Sequence, residues 1–180
     1  MTKAIIDIET TGLNPMEHRI VAIGVGILNE DLAMGKVILT DDDEKKVLEK
    51  FWKLVDEEGI DEIIGFNIDF DWDFLKLRSL YHRIKLKHFR KYQGRVDLRE
   101  ILNGYRNRYK KGTGLKDYCR FFGLDIDEDD KDGSEVPELW NRYLEGDKEA
   151  LSEITYHLVK DLDRTYVIYR ILVDCGLIEG

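Results

Sequence analysis

The sequence predicts an α/β protein built on a mixed sheet of five strands, three antiparallel and then two parallel, flanked by helices. Three observations carry this. Residues 3–8 (KAIIDI), 19–28 (RIVAIGVGIL) and 33–39 (AMGKVIL) are β-branched, apolar runs with short links between them, the pattern of an antiparallel meander. Past residue 59, strand-like and helix-like segments alternate, which adds parallel strands with helical crossovers. The chain then closes on a long helical stretch that must pack on the sheet.

The elements follow in order. The first two strands are separated by TTGLNP, whose Gly, Asn and Pro mark a turn, and the polar NED separates the second from the third. DDDEKKVLEKFWKLVDEEG places Val47, Leu48, Phe51, Leu54 and Val55 at helical spacing behind acids that suit a helix N-terminus. DEIIGFN reads as a short buried strand and FDWDFLKLRSLYHRI as a helix whose inward side is marked by Phe70, Phe74, Leu75 and Leu77. QGRVDL is the fifth strand. Helical segments are expected at about 98–110, 114–122 and 137–145, then from 147 to 174, ending at Gly176. No repeat, low-complexity segment or linker interrupts residues 1–180, and that length fits one domain.

Composition narrows the function classes. No run approaches the roughly 18–20 apolar residues of a membrane span, so no membrane partner is expected. MTKAIIDIET enters a strand directly, without the regions of a signal peptide. Only Cys119 and Cys175 are present, too few for a disulfide framework or a four-cysteine zinc site, and a reducing cytoplasm is the expected compartment. The net charge of −9 argues against a polyanionic partner, yet it is unevenly spread. Residues 76–116 hold 14 Lys and Arg against two acids, Asp97 and Glu100, with Tyr81, Phe89, Tyr92, Tyr105 and Tyr109 interleaved. Cations with aromatics suit phosphate contact and base stacking, so a nucleic-acid track is expected there.

Two stretches imitate motifs. Asp125–Gly133 (DIDEDDKDG) resembles a calcium loop, but its sixth position is Asp130 and its twelfth is Val136, so the EF-hand register fails and a solvated acidic loop is expected. KKGTGLK lacks the spacing of a P-loop and reads as a turn before a helix that touches backbone phosphates.

The chemistry lies in carboxylates. Asp7 and Glu9 are two apart on a strand and share a face, where they repel each other and lose solvation unless a cation lies between them. A third candidate is Asp71, at a strand–helix junction; spacing alone does not separate it from Asp69 and Asp73. The fourth is Asp161, on a stripe of Ile154, His157, Asp161, Thr165, Ile168 and Leu172 stepping by three or four. His157 lies one turn before Asp161 on that side, whereas Tyr156 is rotated away. Hard oxygen donors without clustered His or Cys select Mg²⁺ or Mn²⁺, and four carboxylates from three elements suffice for two ions about 4 Å apart, the apparatus of phosphodiester hydrolysis.

With these residues assembled, the chain resembles the DEDD, or DnaQ-like, superfamily of 3'-5' exonucleases, which have a ribonuclease H-like fold. The resemblance covers nearly the whole length. DIETTGL is similar to the first motif, which implies metal binding by Asp7 and Glu9 and substrate contacts from Thr10, Thr11, Gly12 and Leu13. GFNIDFD is similar to the second, N-x3-D; it implies Asp71 over its rivals, with Asn67 and Phe70 beside the substrate. KDLDRTY is similar to the third and implies Asp161 over Asp163. GRVDL, DGSEV and the terminal helix look most like the exonuclease domains of family B DNA polymerases and their stand-alone relatives.

YHLVKD departs from the family. One branch has Tyr four residues before the last aspartate and the other has His five before it; here His157 is at minus four and Tyr156 at minus five. Imidazole can take a proton from the attacking water, whereas tyrosine, with a pKa near 10, orients it. The expected catalytic set is therefore Asp7, Glu9, Asp71, Asp161 and His157, with Tyr156 the alternative to His157. The resemblance implies hydrolysis at the 3' end of single-stranded DNA or RNA, alone or beside a polymerase or another replication or repair protein. The rival expectations are an oligoribonuclease-like or structure-specific RNase, and a nucleic-acid-binding module with a degenerate nuclease site.

Overall fold

The computed structural model describes residues 1–87, 89, 94–104, 111–126 and 133–180. Strands β1 (Thr2–Thr10), β2 (Ile20–Leu28) and β3 (Met34–Thr40) form the antiparallel meander. β4 (Ile60–Gly65) pairs parallel with the other edge of β1, and β5 (Arg95–Asp97) pairs parallel with β4. The order β3-β2-β1-β4-β5 makes β1 the middle strand of the expected mixed sheet.

The pleat then decides what each face receives. Ala4, Ile6 and Ile8 point to helices α1 (Glu44–Glu57) and α2 (Ile68–Tyr81), packing with Val47, Phe51, Trp52, Phe74 and Leu75. Ile5 points the other way, to Leu98 of α3 (Leu98–Asn103), Cys119 of α4 (Leu115–Phe121) and Leu162, Ile168, Tyr169 and Leu172 of α6 (Lys148–Asp174). Beside them, α5 (Val136–Leu144) and the first half of α6 cover Val21 and Ala22. Asp7 and Glu9, in phase with Ile5, therefore face α6.

Gly24 brings α6 to that level. It pairs with Asp7 across β1 and β2, and a Cβ there would lie 2.7 Å from Leu162 Cδ1 and 3.1 Å from Leu158 Cγ, so the glycine leaves room for the residue after Asp161 to press onto the sheet. Asp147 caps α6 by accepting a hydrogen bond from Glu149 N, which fixes the start of the helix and hence its phase.

Two expectations need correction. α2 (from Ile68) buries the stripe through Ile68, Trp72, Leu75 and Ser79, with Trp72 edge-on to Trp52 and Phe89, while Leu77 turns outward. The helix expected over 98–110 ends at Asn103, because Gly104 has a φ of 66° that a helix cannot continue; residues 105–110 lie outside the described residues. Both cysteines are free, Cys119 buried and Cys175 exposed. Among the described residues no helix is long and apolar enough to cross a membrane.

Candidate active site

At the carboxyl end of β1 the sheet opens into a cleft of about 720 Å³. Asp7, Glu9 and Thr10 enter it from β1, Gly12 and Leu13 from the turn that follows, Asn67 and Phe70 from the start of α2, and His157 and Asp161 from α6. The far wall is Gly114, Leu115, Lys116 and Asp117 at the start of α4, with Gly133, Ser134 and Pro137 leading into α5.

Asp71 stands behind this lining. β1 has no β4 partner beyond Ile5, and where the ladder stops the Asp71 Oδ1 accepts the Ile8 backbone N–H at 3.1 Å. That bond crosses 63 residues, which is why local spacing could not choose among three aspartates. The rivals are engaged elsewhere: Asp69 faces Arg95 at 3.8 Å and Asp73 holds Lys76 at 2.6 Å. Asp163 pairs with Lys36 at 2.8 Å on the surface.

The electrostatics are unfavourable for the bare protein. Burial pushes the Asp7 carboxyl well above the usual range, and the charges of Asp71, Asp161 and Glu9 push it further. Burial likewise raises Asp71, against the hydrogen bonds it accepts, with Asp97 adding to the rise. Lys116 is the sole Lys or Arg among the described residues lining the cleft. Arg164 donates to Asp161 Oδ1 at 2.9 Å from one turn further along α6.

His157 and Tyr156 part company here. His157 is 6% exposed, with Nε2 3.6 Å from both Glu9 Oε1 and Asp161 Oδ2. Tyr156 is 51% exposed, lies outside the cleft lining and carries Lys160 over its ring.

The donor set suits a hard divalent cation: carboxylate oxygens only, in mutual repulsion that such an ion would reverse. Among the described residues no three His, Cys, Asp or Glu side chains already converge as a cage. Asp161 Oδ1 is engaged by Arg164 and Asp71 Oδ1 by the Ile8 N–H, so an ion would compete with these donors for those two oxygens.

The remaining expected contacts divide. Thr10 donates to Gly12 O at 2.7 Å and shapes the turn. Thr11 does not line the cleft; its hydroxyl accepts from Arg19 N at 3.1 Å and closes the base of the turn. Asn67 has a left-handed backbone, φ 69° and ψ 41°, and its side chain does not cap α2. Of the α4 and α5 walls, the sequence singled out KKGTGLK as a turn into a helix beside phosphates and DGSEV as a family-like stretch, without assigning cleft residues in either.

The basic, aromatic tract of residues 76–116 is less free than its composition implies. Arg78 is bound to Glu44 at 2.7 Å, Lys87 to Asp61 at 3.1 Å, and Arg95 stacks over Trp72. Phe89 is core, between Trp52 and Trp72. Residues 90–92, 105, 106 and 108–110 of the tract lie outside the described residues, as do 127–132 of the acidic stretch.

Comparison with known proteins agrees with this architecture. A protein of Methanocaldococcus jannaschii described as uncharacterized is 66% identical over 180 residues, 99% of each chain. A DNA polymerase of Archaeoglobus fulgidus is 29% identical over 174 residues, 88% of this chain but 21% of the polymerase. Among solved structures, the family B DNA polymerase of Pyrobaculum calidifontis superposes with a TM-score of 0.72 at 20% identity, over 96% of this chain and 24% of that one. A chain of an ExoI/SSB-Ct complex superposes at 0.61 and 12% identity, over 98% of this chain and 42% of its own. The family model of the RNase_H superfamily matches residues 4–173. With its five-stranded mixed sheet and carboxylate-lined cleft, the chain belongs to the RNase_H superfamily.

Proposed function

We propose that this protein is a metal-dependent 3'-5' exonuclease that shortens single-stranded DNA or RNA and releases nucleoside 5'-monophosphates. One observation carries the reading: β1 and α6 bring Asp7, Glu9 and Asp161 into one cleft, with Asp71 of α2 directly behind it, and no cation among the described residues offsets the repulsion at Asp7. Asp7, Glu9, Asp71 and Asp161 would hold two Mg²⁺ or Mn²⁺ ions. Such ions, when bound, lower the pKa of the attacking water and stabilise charge on the leaving oxygen.

The other residues act around them. His157, buried beside Glu9 and Asp161, orients the water and takes its proton. Leu13 and Phe70 offer apolar walls to the terminal base and sugar, Asn67 and Thr10 offer polar contacts at the rim, and Lys116 meets a backbone phosphate from the far wall. Arg164, by donating to Asp161 Oδ1, orients this carboxylate at the cleft wall.

The relatives support this indirectly. The chain spans about a fifth of the Archaeoglobus polymerase, so action beside a separate polymerase or repair protein is part of the proposal. A second reading, a binding module with a silent site, draws on the Arg164–Asp161 pair, which occupies one of the four carboxylates. Strands of DNA and RNA, 5'-labelled, with free or blocked 3' ends, separate these readings when incubated with Mg²⁺ or Mn²⁺. We expect shortening from free 3' ends only. Cutting of a circular strand would contradict exonuclease action, and no cutting under any of these conditions would favour the silent site.

A further inference from the structure

Of the ten exposed large apolar side chains among the described residues, five come from two short segments, Leu13 and Met16 on the β1–β2 turn and Leu80, Tyr81 and the less exposed Leu77 on α2. The exposures are high: 84% and 82% for the first pair, 58% and 70% for Leu80 and Tyr81. The segments are joined. Arg78 donates to Pro15 O at 3.3 Å and lies 4.6 Å over the Tyr81 ring, while Glu44 holds both Arg78 and the Ile20 N–H at the far end of the turn. The turn is thus clamped along the outer side of α2, so these apolar groups are presented by rigid backbone.

The surface is continuous with the cleft, because Leu13 and Phe70 line it. From Phe70 to Tyr81 α2 rises about 16 Å, the span of roughly five stacked nucleotides at ~3.4 Å each. At its outer end Arg83 and Lys85 are exposed and make no ion pair with any described residue, unlike Lys76, Arg78, Lys87 and Arg95. Exposed apolar and aromatic faces beside uncommitted cations match single-stranded nucleic acid, whose bases stack while its phosphates seek positive charge.

We infer that the β1–β2 turn and the outer side of α2 form a stacking track for the part of a single strand lying 5' to the nucleotide in the cleft, with Met16, Tyr81 and Lys85 as its principal contacts. This rests on the proposed function for the placement of the 3' end. It narrows the strand path from the whole basic tract to residues 13–16 and 77–85, and it gives the protein a preference for longer strands.

Binding measured by fluorescence anisotropy in EDTA tests the track apart from catalysis, using 5'-fluorescein oligothymidylates of 3 and 12 nucleotides and matching oligouridylates. The parent protein is expected to bind 12-mers at least tenfold more tightly than 3-mers. Met16→Ser, Tyr81→Ala and Lys85→Ala, each checked for an unchanged melting temperature, should together reduce that ratio about tenfold, whereas Leu144→Ser on α5 should not. Equal affinity for both lengths, no binding of either, or an unchanged ratio in the triple variant overturns the track. Loss of the exonuclease reading shows separately, as absence of divalent-dependent hydrolysis of both lengths.

Discussion

Two buried acidic centres of this fold are built in opposite ways. Glu44, at the start of α1, accepts hydrogen bonds from Ile20 N at 2.8 Å and from Arg78 at 2.7–2.9 Å, and His82 Nε2 lies 2.7 Å away. Burial pushes its carboxyl up, but Arg78 and His82 outweigh burial and hold it below the usual range. Asp7 and Asp71, by contrast, are raised well above that range by burial and by neighbouring carboxylates. A fold able to supply Glu44 with a guanidinium and an imidazole leaves Asp7 among three like charges. The difference teaches which acid is structural: Glu44 is held ionised by partners within the fold and clamps the β1–β2 turn, whereas the ionised form of Asp7 is disfavoured until a ligand supplies positive charge.

That contrast can be broken at either end. Asp7→Asn should have the largest effect, lowering hydrolysis roughly 10³-fold or more, since a ligand and its charge are both lost; single-turnover assays on a labelled strand measure it. Next is His157→Ala, expected to cost about 10²–10⁴-fold in rate for loss of a general base, with Tyr156→Phe within about twofold of the parent. The reverse order would mean that the exposed tyrosine, not the buried imidazole, serves the water.

Glu44→Ala should act on stability instead. It leaves the part-buried Arg78 without its carboxylate, at a cost of about 3 kcal/mol, or a fall in melting temperature of about 10 °C. Thermal unfolding in EDTA checks this, and the folded fraction should keep most of its turnover.

The smallest effect is in pH dependence. Asp7 and Asp71 have folded-state pKa values above their unfolded ones, so the folded state holds more protons, and metal-free stability falls as pH rises above about 4. Glu44 has the opposite sign: its contribution is present above its unfolded pKa and is lost as pH falls through the lowered folded value. Melting curves from pH 3 to 8 in EDTA should show Asp7→Asn flattening the fall towards neutrality and Glu44→Gln flattening the loss on the acid side.

Much of this organisation was legible in the sequence, because it rests on local periodicity. The period of two put Asp7 and Glu9 on one face, and the stripe through Ile154, His157, Asp161 and Ile168 placed the imidazole and the carboxylate on one side of α6. What was not legible depends on contacts between distant segments. Asp71 is distinguished by the Ile8 N–H, and Arg78 and Phe89 look like surface residues until Glu44 and the tryptophans are packed against them. Leu77 was misjudged because the stripe of α2 that packs inward runs through Ile68, Trp72, Leu75 and Ser79. The α4 and α5 walls come from two short stretches without a shared periodicity, and only folding brings them to the cleft.

The most direct measurement is the melting temperature of the metal-free protein titrated with Mn²⁺ at pH 7.5, comparing the parent, Asp7→Asn and Glu44→Gln. If the carboxylate cleft is charged in readiness for cations, Mn²⁺ raises the melting temperature of the parent and of Glu44→Gln by several degrees and leaves Asp7→Asn nearly unmoved. An equal rise in Asp7→Asn, or none in the parent, would contradict it.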